Sequence, residues 1–169
     1  KTNHYEFIIT ERDFLASIDN TIKQVESYCT TTVRASVGNY LVSQYLSKKV
    51  PDKVIFCGDV SDEIFGSYRG FTSATSNEDF FLENLKMIEN INYFDVLRSD
   101  KSISSAGLEA RVPFGDLDFV KYVMSLDPSL KTFDDKKIEK DILRKSFEGY
   151  LPDELLYRRK EAFSDGVSS

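Results

Sequence analysis

The sequence predicts an α/β fold: a β-α-α-β part of a parallel sheet over about residues 1–66, followed by a mainly helical portion over about residues 77–169. Three observations carry this reading. Lys53 to Cys57 holds a continuous rather than an alternating apolar run, the pattern of a strand covered on both faces in a parallel sheet. Two amphipathic helical patterns precede it. From the polar stretch GFTSATSNED onward, the periodicity is helical.

Tyr5 to Thr10 is short and rich in β-forming residues, which predicts the first strand. Thr10-Glu11-Arg12-Asp13 resembles a capping box, and Phe14, Leu15, Ile18, Ile22 and Val25 recur at helical spacing behind it. The threonine cluster 30–32 interrupts this pattern, after which Val37, Leu41 and Tyr45 mark one face of a second helix ending near Lys48 and Lys49, with Pro51 beyond it. After the strand at 53–57, Ser61 is placed to cap a helix begun by Asp62, Glu63, Ile64 and Phe65. Ser76 and Asp79 then cap a helix whose expected core face is Phe81, Leu82, Leu85 and Ile88. A further helix begins near Phe94 and carries Asp95 and Arg98. Asp116 caps one with Leu117, Val120 and Met124. Ile138, Ile142, Leu143 and Phe147 form another that stops at Gly149, and Pro152 starts one more turn.

A chain of 169 residues with 41% hydrophobic and 30% charged residues is globular and long enough for one sizeable core. Its net charge of -6 gives it no general attraction for nucleic acid or anionic membrane, although a local basic cluster still suits phosphate. Cys29 and Cys57 are too few for a disulfide framework and show no paired metal-ligand spacing, which favours a reduced, cytoplasmic setting. No apolar run is long enough to span a bilayer, and the start, KTNHYEFIIT, has the features of no signal peptide. Lys1 directly before an expected strand, and the polar end FSDGVSS, predict a piece of a longer protein.

The stretch VIFCGDVSDEIFG, residues 54–66, runs from a buried strand into a glycine and carboxylates. In open α/β sheets, ligands bind beyond the carboxyl ends of the strands. Gly58 permits a sharp turn or a close approach to a ligand, and free amides at a helix start favour an anion. A carboxylate among those amides suits a magnesium ion bridging to phosphate oxygens. The alternative use is helix capping, since Asp and Glu in a first turn stabilise any helix through its dipole.

This stretch, together with TTVRASVGNYL (31–41), YFDVLRSDK (93–101), GLEARVPFGD (107–116), IEKDILRKSFEGYLPDELL (138–156) and RRKEAFSDGV (158–167), resembles the synthetase domain of glutamine-dependent asparagine synthetases. The resemblance runs in order through nearly the whole chain. It implies part of an adenine-nucleotide alpha-hydrolase-like (ATP pyrophosphatase) sheet. It also implies an enzyme that adenylates the side-chain carboxylate of aspartate with ATP and then transfers ammonia, giving asparagine, AMP and pyrophosphate. ATP, aspartate, Mg²⁺ and ammonia from a glutaminase domain are the substrates and partners implied. The oligomeric state stays open, a homodimer included.

By this resemblance Asp62 stands where the family holds Mg²⁺-pyrophosphate, and Cys57 and Gly58 stand where its strand end meets the nucleotide. Lys160 matches the lysine of K-E-x-F-S-D-G, whose fixed cation stabilises the departing pyrophosphate; a solvated surface charge is its other reading. Thr31 and Arg34 match T-T-x-R-A-S near adenylate and substrate, and Asp95 and Arg98 match a D-x-x-R pair. Capping and helix-surface ion pairs are the alternatives for these four. Glu109 and Arg111 read as a structural pair fixing a turn.

Two departures stand out. The family reads S-G-E-G-S-D-E where this chain has Cys57-Gly58-Asp59-Val60-Ser61-Asp62-Glu63. Asp59 therefore takes the place of the glutamate that handles the proton of the attacking ammonia, and it is one methylene shorter. A displacement of about 1 Å in a reacting group costs roughly a hundredfold. Second, no S-G-G-x-D-S phosphate loop and no glutaminase segment occur in these residues, so the isolated chain is not expected to be active alone. An inactive fragment or degenerate relative serving as a binding or regulatory module, and a β-lactam synthetase-like amidotransferase, are the competing readings.

Overall fold

A computed structural model describes residues 3–134, 136–158 and 160. Along the chain it forms α1 (Glu11–Ala16), α2 (Ile18–Val25), α3 (Thr30–Lys49), β1 (Val54–Phe56), α4 (Ser61–Ile64), α5 (Asn77–Glu89), α6 (Asp95–Ser104), β2 (Glu109–Arg111), α7 (Leu117–Ser125), α8 (Asp141–Ser146) and α9 (Asp153–Leu156). The fold is mostly helical, with a small parallel sheet in which Val54, Ile55 and Phe56 stand opposite Glu109, Ala110 and Arg111. The described residues divide into two compact units, one built from 3–57 and 92–111, the other from 58–91 and 112–160.

In the first unit α3 packs on α2 and α6, and α6 packs on β2. The capping box forms as its residues require: Thr10 Oγ1 accepts from the Asp13 amide and the Asp13 carboxylate accepts from the Thr10 amide. The expected first helix is broken at Ser17 into α1 and α2. Thr30–Thr32 do not interrupt a helix but open α3, behind Cys29 in extended backbone. The buried side of α3 includes Ser36, Val37, Gly38 and Ser43, and that of α6 Ser99, Ser102 and Ile103. Such small residues let two helices approach closely. Asn39 Nδ2 reaches Ser99 Oγ at 3.4 Å across that seam.

Two expectations about strands do not hold. Tyr5 to Thr10 forms no strand: no ladder partner stands beside it among the described residues, and Phe7 instead stacks on Tyr45 at a centroid distance of 4.5 Å. β1 is not covered on both faces, since Phe56 is 78% exposed and Val54 45%. Its partner β2 lies in a stretch read as a turn, so the chain after residue 66 is not helical throughout.

In the second unit α4 packs on α5 and α7. Its core is made by Val60, Ile64, Phe65, Phe71, Phe80, Val123 and Leu156. Gly66, at φ +59, has no Cβ where the Phe80 ring lies against it, and Phe71 packs at 5.0 Å from the same ring. That slot sets the face of α5. Phe80 and Asn84 are its buried residues, and Leu82 and Leu85 are exposed, so the expected face of Phe81, Leu82, Leu85 and Ile88 is rotated. Ser76 and Asp116 cap α5 and α7 as their spacing predicts, accepting from the Asp79 amide and from the Asp118 and Phe119 amides. The predicted helix of Ile138 to Phe147 is shorter, Asp141–Ser146, and begins after Lys140 in the left-handed region at φ +57.

Candidate functional site

Asp62 lies in the first turn of α4. Its Oδ1 accepts from Lys140 Nζ at 2.8 Å, from Lys160 Nζ at 2.8 Å and from the Ser67 hydroxyl. The side chains of all three charged residues are largely buried, Asp62 being 27% exposed. Burial alone pushes the Asp62 carboxyl up, but the two ammonium groups and the Ser67 hydroxyl outweigh it and hold the pKa down at about 2.

The local sequence explains each approach. Val60 precedes α4 in the left-handed region at φ +74, which turns the chain out of the strand and into the helix. Ser61 does not cap α4 as expected. Its hydroxyl donates to the Gly58 carbonyl at 2.8 Å and accepts from Lys140 Nζ at 3.0 Å. α4 has only four residues, so the attraction for an anion that the sequence reading gave to a helix start falls here to lysine side chains. Lys160 also reaches the Ser67 carbonyl at 3.4 Å and sits 4.4 Å from the Tyr68 ring centroid, a distance at which the ring face attracts a cation. Tyr68 in turn donates to buried Glu63 at 2.5 Å.

Beneath the site, Asn84 Nδ2 donates to the Glu63 carbonyl, and Lys131 Nζ donates to Asn84 Oδ1 at 3.0 Å and to the Ile64 carbonyl at 3.2 Å. Lys131 is 2% exposed. Burial pushes its pKa down to about 8.

Of the residues singled out in the sequence, the structure brings Asp62 and Lys160 into contact. Gly58 and half-buried Asp59 lie in the turn before Val60, in the same compact unit. Cys57, Thr31, Arg34, Asp95 and Arg98 belong to the other unit. There Cys57 donates its amide to the Arg111 carbonyl at 3.0 Å. Thr31 and Arg34 are exposed on the first turns of α3, and Arg98 Nη2 pairs with Asp95 Oδ1 at 2.6 Å. Glu109 and Arg111 pair at 2.6 Å along β2. The E-A-F-S-D-G part of the last motif, residues 161–166, lies outside the described residues. Lys140 is the residue that sequence reasoning missed. Its only signal was its position inside the segment IEKDILRKSFEG.

Two ammonium groups facing one carboxylate leave a net positive charge among the described residues, which suits a polyanion. Among the described residues no group of three or more His, Cys, Asp or Glu side chains is placed to hold a metal by itself. Asp62 is the one carboxylate of the cluster that could serve a magnesium ion alongside phosphate oxygens and water, and its Oδ1 is held by Lys140, Lys160 and Ser67. No helix among the described residues is long and apolar enough to cross a membrane.

The chain matches the family Asparagine synthase through two overlapping stretches, residues 1–87 and 82–169. It is similar to the glutamine-hydrolysing asparagine synthetase of Triphysaria versicolor, at 44% identity over 172 residues that cover 98% of this chain and 29% of that protein. To the corresponding protein of Rattus norvegicus it is 43% identical over 170 residues, covering 99% of this chain and 30% of that one. With asparagine synthetase 1 of Lotus japonicus the identity is 43% over 172 residues, with 98% and 29% covered. The chain thus spans less than a third of the length of these curated relatives.

Proposed function

The chain belongs to the asparagine synthase family, and from that premise we propose that it is part of an ATP-dependent asparagine synthetase. In this reading the aspartate side-chain carboxylate attacks the α-phosphorus of ATP and pyrophosphate leaves. Ammonia then attacks the resulting acyl carbon, and AMP leaves with the bonding electrons. The single observation that carries the reading is the convergence of Lys140 and Lys160 on Asp62 Oδ1, each at 2.8 Å.

The chemistry follows from charge. Breaking the phosphoanhydride bond builds negative charge on the leaving pyrophosphate, and preorganised cations in a partly buried site stabilise that charge more than water does. Lys160 and Lys140 are the cations, and Asp62 holds them ready in the absence of substrate. A magnesium ion, when bound through Asp62, supplies further charge neutralisation on the phosphates. Asp59 is the group proposed to take the proton that ammonia loses. Gly58 and Cys57 are proposed to line the nucleotide side of the strand end. For Cys57, Thr31, Arg34, Asp95 and Arg98 the proposal rests on sequence correspondence alone, and cytoplasmic location rests on composition.

The test is aspartate-dependent formation of AMP and pyrophosphate from ATP, with ammonia supplied in solution, by the natural protein that contains this chain. Asparagine and AMP in equal amounts support the reading. AMP formed only with a carboxylate other than aspartate points to a β-lactam synthetase-like reaction. Val60 in a left-handed conformation beside the shortened Asp59 favours a second reading, a relative that binds nucleotide without turnover. Binding of magnesium pyrophosphate with no AMP formed supports that one.

A further inference from the structure

Lys140 and Lys160 reach Asp62 from separate segments, and a single guanidinium ties both segments together. Arg144, on α8, donates from Nε to the Glu139 carbonyl at 2.9 Å and from Nη2 to Glu139 Oε1 at 2.6 Å. Its remaining nitrogen, Nη1, donates to the Leu156 carbonyl and to the Arg158 carbonyl, the latter at 3.1 Å. Glu139 is the residue before Lys140. Leu156 and Arg158 belong to the stretch that ends α9 and leads to Lys160. The Arg144 and Glu139 side chains are 15% and 13% exposed, so water competes little for their ion pair, while the bond to the Arg158 carbonyl is exposed.

We propose that Arg144 is a positioning residue that sets the two lysines on Asp62 by clamping the turn at Glu139 and the stretch at Leu156–Arg158 to one rigid fork. The functional meaning of the clamp rests on the pyrophosphate reading above, but its mechanical meaning does not. Guanidinium geometry is what the site requires. The planar fork presents donors in fixed directions and satisfies a carboxylate and backbone carbonyls on several sides at once, which a lysine ammonium at the same position cannot reproduce. The left-handed Lys140 gives the reason a clamp is needed: at φ +57 a residue with a Cβ is held against its own preference, and the Arg144–Glu139 pair fixes the preceding peptide.

The test is competitive acylation of lysines with an N-hydroxysuccinimidyl ester, read peptide by peptide by mass spectrometry, in the protein without ligand. An ammonium group must leave Asp62 and lose its proton before it reacts, so the rates report how firmly each lysine is held. Lys86 and Lys121, 71% and 75% exposed, are internal references. Arg144→Lys, which keeps the charge, is expected to raise the rates of both Lys140 and Lys160 by about tenfold against the references. Either lysine staying at its wild-type rate overturns the proposal. Glu139→Gln, the milder change, weakens the bond from Nη2 and leaves the backbone bonds to Glu139, Leu156 and Arg158, so Lys140 is expected to speed up by less than in Arg144→Lys while Lys160 stays within about twofold. If Arg144→Lys does not fold, Glu139→Gln decides alone, and equal or absent changes at the two lysines overturn the clamp. Addition of magnesium pyrophosphate to the wild type tests the functional reading separately. Protection of both lysines supports it, and its absence defeats that reading while leaving the clamp standing.

Discussion

Lys140 and Lys160, carried by different segments, share one oxygen atom of Asp62, each at 2.8 Å. Among the described residues, this shared acceptor is the carboxylate oxygen both lysines meet, and the pair carries one positive charge more than Asp62 cancels.

Asp62 makes stability depend on acid. Its pKa of about 2 in the folded protein is below the ordinary 3.8. The carboxylate therefore contributes stability that is complete above about pH 4 and is lost as pH falls through 2. Urea unfolding at a series of pH values should show Asp62→Asn less stable than wild type at pH 6. The gap, on the order of 1–2 kcal/mol after allowance for partial exposure, should close toward pH 2. A gap independent of pH contradicts the ion-pair account.

Lys131 works in the opposite range. Burial lowers its pKa from 10.5 to about 8, so between those values the unfolded chain binds the proton that the folded chain has released. Stability therefore rises with pH across that window. Lys131→Met removes the titrating group, and the wild type should gain on it by on the order of 2 kcal/mol between pH 8 and 10.5. Parallel stability curves contradict this assignment.

Val60 is 8% exposed and stands at φ +74. Removing a buried branched side chain ordinarily costs about 2 kcal/mol or more, but a β-branched residue in the left-handed region already carries about 1–3 kcal/mol of strain that glycine does not. Val60→Gly is expected to change the unfolding free energy by less than about 1 kcal/mol. A loss of 3 kcal/mol or more argues that the strain is negligible.

In the proposed function Asp59 takes the place of a glutamate and is one methylene shorter. If reach limits proton removal, Asp59→Glu raises the ammonia-dependent rate by up to roughly a hundredfold. An unchanged or lower rate means the surrounding turn is already fitted to aspartate.

What could be read in the sequence was local. The caps at Thr10, Ser76 and Asp116 were legible because a side chain and the amides it serves lie two or three residues apart. Two family motifs implied a shared pyrophosphate role for Asp62 and Lys160, but their direct contact was in neither motif nor spacing. What could not be read depended on partners distant in the chain. Tyr5 to Thr10 has β-forming residues, but a strand exists only beside another strand, and the stack of Phe7 on Tyr45 is a different use of the same apolar surface. The short β2 has Ala110 between two charged residues and gave no strand signal until β1 lay beside it. The face of α5 was set by the slot that Gly66 opens for Phe80, which helical periodicity does not encode. Lys140 looked like any lysine within the predicted helix from Ile138, and its left-handed backbone and contact with Asp62 needed coordinates to become visible.

The most direct measurement is calorimetric titration of magnesium pyrophosphate into the wild-type protein, Lys160→Ala and Lys140→Ala, with thermal unfolding of each recorded alongside. Each substitution is expected to weaken binding by about tenfold to a hundredfold, the worth of one charge-assisted contact, in proteins that still unfold cooperatively. Equal affinity in all three contradicts the claim that these two lysines form the pyrophosphate site.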